Sequence, residues 1–170
     1  MVEVGLVLCI VGIVLAVFVP TFVRRVRINE ISEASELLQS MSDRASAYYA
    51  MTWANGKRFC LPEGAGPTPT VPTIDPATVE FAAEVTGGHE TWEALGFQPD
   101  RPVRYSYSFL PSRHGCGLVG DDEGGTVVFR AEGDLDGDGV RSVFERRATI
   151  DRAGAALKPA GTLHVHRRVE

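Results

Sequence analysis

From Val4 to Val19 the chain runs through sixteen residues without a charge and with almost nothing polar. In helical form that run is ~24 Å long, and continuing it to Val23 gives ~30 Å, about one hydrocarbon thickness. It opens on an acid, Glu3, and closes on a basic cluster, Arg24, Arg25 and Arg27. A cleaved secretory signal shows a basic start and a small-residue cleavage site after a shorter apolar core. The sequence therefore predicts a retained segment that crosses a membrane once. By the positive-inside rule the arginines hold the C-terminal side in the cytoplasm, and a basic leader ahead of Met1 during insertion would reverse that.

Beyond Pro20, apolar residues recur at three- and four-residue steps through Val23, Val26, Ile31, Ala34, Leu38, Met41, Ala45 and Tyr48, the spacing of one helical face. One long helix to about Ala50 is expected, bent or loosened at Pro20, which removes an internal hydrogen bond. Residues 1–23 form its apolar half and residues 24–52 its amphipathic half. Pro62, Pro67, Pro69, Pro72 and Pro76, with glycines between them, make 53–102 a connecting loop with a short helix near Thr91–Phe97, where Gly96 suits a C-cap. In 103–170, Val103, Tyr105, Tyr107 and Phe109 alternate as on a half-buried strand, and three further segments read as strands. The predicted fold class is α+β, a long N-terminal helical spine packed against a C-terminal antiparallel sheet of about four strands.

Glu3, Gly12 and Pro20 stand in one ungapped register around "IVGIVLAVFVP". The stretch resembles the N-terminus of type IV pilins and pseudopilins, in which a glutamate is followed seventeen residues later by a proline. The resemblance implies a pilin-like spine and sheet. It also implies a role for Glu3 in pairing with a free N-terminal amine when apolar helices bundle into a filament. Family members carry a basic leader ending in glycine, cut before a methylated phenylalanine four residues ahead of the glutamate. Met1 stands two residues ahead of Glu3, so a trimmed or misassigned start is expected. The partners implied are copies of the chain itself, the membrane before assembly, and the inner-membrane pilus assembly machinery. The implied location is the inner membrane, then a filament at the cell surface or a periplasmic pseudopilus.

Cys9 lies in the apolar run, which leaves Cys60 and Cys116 as a pair. In an exported, oxidised domain they form a disulfide, and two unrelated buried thiols are the alternative. "DLDGDGVRSVFE" places Asp134, Asp136 and Asp138 at alternate positions, Gly139 sixth and Glu145 twelfth, the pattern of an acidic calcium loop. The Val140 carbonyl, Ser142 through water and a bidentate Glu145 would complete the calcium shell. The strands on both sides argue against an EF-hand helix pair, and a solvated Asp/Gly turn with Glu145 on an outward strand face is the alternative. His164 and His166 share a strand face without an identifiable third ligand. Asp121, Asp122 and Glu123 form an acidic loop.

A chain of 170 residues suits one domain plus the N-terminal segment. Its net charge of -5 argues against nucleic acid as a partner, despite basic clusters at Arg24–Arg27 and His164–Arg168. No nucleophile elbow, phosphate loop or paired zinc motif is present, so no catalytic residues and no enzyme activity are expected. The leading expectation is a structural subunit of a pilus-like filament, with a type II secretion pseudopilin or minor pilin as its variant. A monomeric membrane-anchored calcium-binding surface protein is the alternative of another class.

Overall fold

The computed structural model describes residues 2–53, 56–57, 59–118, 125–150 and 156–166. Helix α1 covers Val2–Tyr49, followed by the paired two-residue strands β1 (Thr52–Trp53) and β2 (Gly56–Lys57). Then come β3 (Ala65–Thr68), α2 (His89–Leu95), β4 (Ser106–Pro111), β5 (Thr126–Gly133), β6 (Ser142–Ile150), β7 (Leu157–Pro159) and β8 (His164–His166). The chain divides into two compact units, Met1–Glu33 and Ala34–Glu170.

In the second unit, β3, β4, β5, β6 and β7 lie side by side in that order, and β8 pairs with β6 as well. All these pairings are antiparallel. The sheet thus has six strands where about four were expected. The expected helical spine along the sheet is also overturned. Only 34–49, the last sixteen residues of α1, belong to the sheet-bearing unit. The preceding stretch Arg24–Glu33 holds five charged residues.

Within 34–49, the residues Ala34, Leu37, Leu38, Met41, Ala45 and Tyr49 are buried, at the steps that bring side chains onto one helical face. Tyr49 rather than Tyr48 closes this face. Its hydroxyl lies 3.5 Å from the Leu118 carbonyl, to which it donates, and its ring stands 5.6 Å from that of Phe59. Burial pushes the Tyr49 phenol above its ordinary range.

Val103, Tyr105, Tyr107 and Phe109 are all buried, but so are Ser106 and Ser108, so β4, which begins only at Ser106, is buried on both faces there rather than half-buried as expected. Phe81, Trp92, Phe97 and Tyr107 form an aromatic cluster, with Phe81 edge-on to Trp92 and to Phe97 at 5.4 Å, a favoured ring geometry. Trp92 Nε1 donates to Thr68 Oγ1 at 3.1 Å, which satisfies its one polar atom. Gly96 caps α2 in the left-handed conformation with φ 61°, and Arg44 donates to its carbonyl.

The proline-rich segment is not wholly irregular. It contributes β3, whose Pro67 is tolerated because β3 is an edge strand. Ala77 and Val103 exchange backbone hydrogen bonds at 2.9 Å.

Among the described residues no helix is long and apolar enough to cross a membrane. The expected transmembrane helix, and the location in the inner membrane and then at the cell surface that was built on it, are overturned. The strongly apolar part, Val4–Val19, is only ~24 Å long as a helix, and the residues that would extend it to ~30 Å include Pro20 and Thr21.

Gly133 ends β5 beneath the Tyr105 ring, and a Cβ there would stand 2.5 Å from that ring. Gly133→Ala is expected to lower stability by about 1–3 kcal/mol through overpacking, read as a lower urea midpoint at unchanged slope.

Candidate functional site

Two places carry the residues singled out from the sequence, and they lie in different units. The first is the turn between β5 and β6. Gly137 and Gly139 have φ of 75° and 85°, a backbone form that glycine adopts without strain. The turn they permit brings one carboxylate oxygen from each of Asp134, Asp136 and Asp138 within 4.8 Å of one another. Backbone N–H groups donate into this cluster. Gly137 reaches Asp134 Oδ1 at 2.9 Å and Gly139 reaches Asp134 Oδ2 at 3.1 Å. Asp138 donates to Asp136 Oδ1 at 3.2 Å and Val140 to Asp138 Oδ1 at 2.6 Å. Each carboxylate oxygen keeps a further lone pair after such a bond, so the three aspartates could still hold a hard cation.

Of the remaining predicted ligands, Glu145 does not join them. Ser142 is buried and donates its hydroxyl to the Gly133 carbonyl at 3.2 Å. Val140 sits in the turn with its side chain exposed. Glu145 lies three residues along β6 from Ser142, roughly 10 Å at strand rise, whereas the loop template assumes a helix that swings the twelfth residue back. Its carboxylate is taken instead by two arginines. Arg130 Nη2 approaches Oε1 at 2.7 Å, and Arg147 Nη2 approaches Oε2 at 3.1 Å. Arg130 and Glu145 are directly opposite in the β5–β6 register, so this pair was readable once the hairpin was drawn. Glu132 extends the row, with Arg130 at 3.7 Å and Arg141 at 3.1 Å. Burial pushes the Glu145 carboxyl up, but hydrogen bonds and charge from Arg130 and Arg147 outweigh it and hold the group below the usual glutamate range.

The second place is the N-terminal part of α1. Every residue from Cys9 to Val19 is exposed, with Ile13 at 63% and Phe18 at 69%. Eleven residues make about three turns, so the apolar surface goes all the way round the helix. Gly12 lies in this stretch with nothing within 4 Å of where a Cβ would stand. Glu3 and Pro20 fall within α1, but their side chains, like those of Arg24, Arg25 and Arg27, lie outside the described residues.

Cys60 and Cys116 are joined in a disulfide across 56 residues of sequence, and Cys9 is a free, exposed thiol. His164 and His166 are exposed on β8, while Asp121, Asp122, Glu123, Arg167 and Arg168 lie outside the described residues. No protein-family model, curated protein or solved structure matches the chain. The likeness to pilins therefore rests on the sequence, above all on the register of Glu3, Gly12 and Pro20, with the segments from Trp92 to Phe109 and from Gly133 to Gly139 beside it.

The depressed Glu145 carboxyl stabilises the fold above the ordinary glutamate range, and that contribution is lost as pH falls through its lower native value. Glu145→Gln is expected to cost about 1–3 kcal/mol at neutral pH. The gap between variant and parent should close in acid, as followed by urea unfolding at a series of pH values.

Proposed function

We propose that the chain is a structural subunit that assembles with copies of itself through the N-terminal part of α1, as pilin-like proteins do. The observation that carries this reading is the unbroken exposure of Cys9–Val19. A dimer contact covers one face of a helix and leaves the rest wet, whereas apolar surface on all sides is covered only when several neighbours surround it. Contiguous exposed apolar surface of this kind marks an interaction site. Burial of each large side chain here is worth about 1 kcal/mol or more, so the drive to assemble rises with the number of neighbours.

Glu3 would supply register, since a misaligned helix leaves a carboxylate unpaired among apolar side chains. The Asp134, Asp136 and Asp138 turn would hold calcium with backbone carbonyls and water as further ligands, and this would brace the β5–β6 hairpin. A calcium ion present at a hundred times its dissociation constant would add about 2.7 kcal/mol. A thermal melt of the protein with and without calcium, repeated on Asp136→Asn, reads that increment and should show it only in the parent.

Purified protein is expected to form filaments by negative-stain electron microscopy. Ile13→Glu and Phe18→Glu should abolish them while leaving the unfolding transition of the sheet-bearing unit unchanged. A parent protein that stays monomeric at every concentration, or variants that assemble as well as the parent, would refute the reading.

A further inference from the structure

The sheet-bearing unit carries its charge unevenly. Residues 59–100 hold seven aspartates and glutamates and neither lysine nor arginine, more negative charge than the whole chain's net of -5. All seven are exposed. Much of this segment gathers at the edge of the sheet where β3 is the last strand. Thr91 and Trp92 of α2 donate to the Glu63 carbonyl and to Thr68 Oγ1, which fixes α2 to β3. Pro67 and Pro69 line an open groove of about 280 Å³ together with Val79 and Val85, and Val85 is 95% exposed. Glu80 and Glu84 adjoin these two valines in sequence.

The other edge, where β7 and β8 pair with β6, has the opposite character. Lys158 stands across from Thr149 and His164 across from Glu145, so with Arg147 and His166 they share one sheet face. Arg147, Lys158, His164 and His166 are exposed. Glu145, the one acid in β6, β7 and β8, is buried and paired with Arg130 and Arg147. Val165, in the middle of β8, is 43% exposed.

We propose that the basic β7–β8 edge of one copy docks on the acidic β3 edge of the next, the groove beside Val85 receiving Val165. The surfaces are complementary in charge, which steers encounter and fixes orientation, and each offers an exposed apolar residue to bury. Pro67 leaves β3 short of a backbone donor, so the edges meet through side chains rather than by continuing the sheet. Two different surfaces on opposite edges make a heterologous contact, which adds copies in a row instead of closing a pair. This contact lies within the sheet-bearing unit and does not depend on assembly through α1.

Sedimentation velocity of the full chain carrying Ile13→Glu and Phe18→Glu tests it with the α1 surface disabled. Self-association is expected that weakens by at least about tenfold on going from low salt to about 1 M sodium chloride. Glu80→Lys with Glu84→Lys, or Lys158→Glu with His164→Glu, should each weaken it at least about tenfold. Mixing these two charge-reversed chains in equal amounts should restore it, because each then meets its complement. The four side chains are exposed, and an unchanged thermal transition in each variant shows that the fold is kept. Val85→Ser, which alters no charge, should also weaken the association. A chain that stays monomeric at every concentration would overturn the proposal. So would association indifferent to salt or to either reversal, or a mixture that fails to restore it.

Discussion

Three turns of helix with apolar side chains on every side cannot be a resting state in water. By contrast, α1 over 34–49 and β5 in its alternation each hide one face and wet the other. Between Cys9 and Val19 no such division exists. The hydrophobic effect makes the exposed stretch costly by an amount proportional to its area. That cost is relieved by surrounding it, and among the described residues no helix is long and apolar enough to cross a membrane. The proposed self-association rests on this one imbalance, and the proposed helical bundle on its all-round character.

The sheet-bearing unit, Ala34–Glu170, has a core of its own. Its core is the apolar face of 34–49 together with the inward side chains of β4, β5 and β6 and the aromatic cluster around Trp92. The disulfide closes a long loop and by chain entropy contributes about 4 kcal/mol. On the opposite sheet face, Glu145 accepts from arginines on either side of it, which pins β5 to β6 beside the aspartate turn. A turn carrying three close carboxylates repels itself, and the backbone N–H bonds of Gly137 and Gly139, with the hairpin clamp next to them, hold it closed.

Much of this was legible where periodicity is strong. Ala34, Leu38, Met41 and Ala45 read correctly as a buried helical face, and the inward positions from Val103 to Phe109 read correctly from their alternation. The cysteine count gave the disulfide. Misses came where a local rule met a tertiary one. Prolines hid β3 because edge strands tolerate them, and the twelve-residue loop template misplaced Glu145 because a strand, not a helix, follows the turn. The apolar run was read as a membrane span from its lack of charge to Val23, whereas among the described residues no helix is long and apolar enough to cross a membrane.

The free thiol of Cys9 is a built-in reporter on the central claim, since it lies on the exposed stretch and is the chain's one unpaired cysteine. Its labelling rate with a thiol reagent should be measured across a series of protein concentrations. Self-association through this helix predicts fast labelling in dilute solution and a steep fall above a threshold concentration, as cooperative burial requires. A labelling rate that stays fast and independent of concentration would contradict the account.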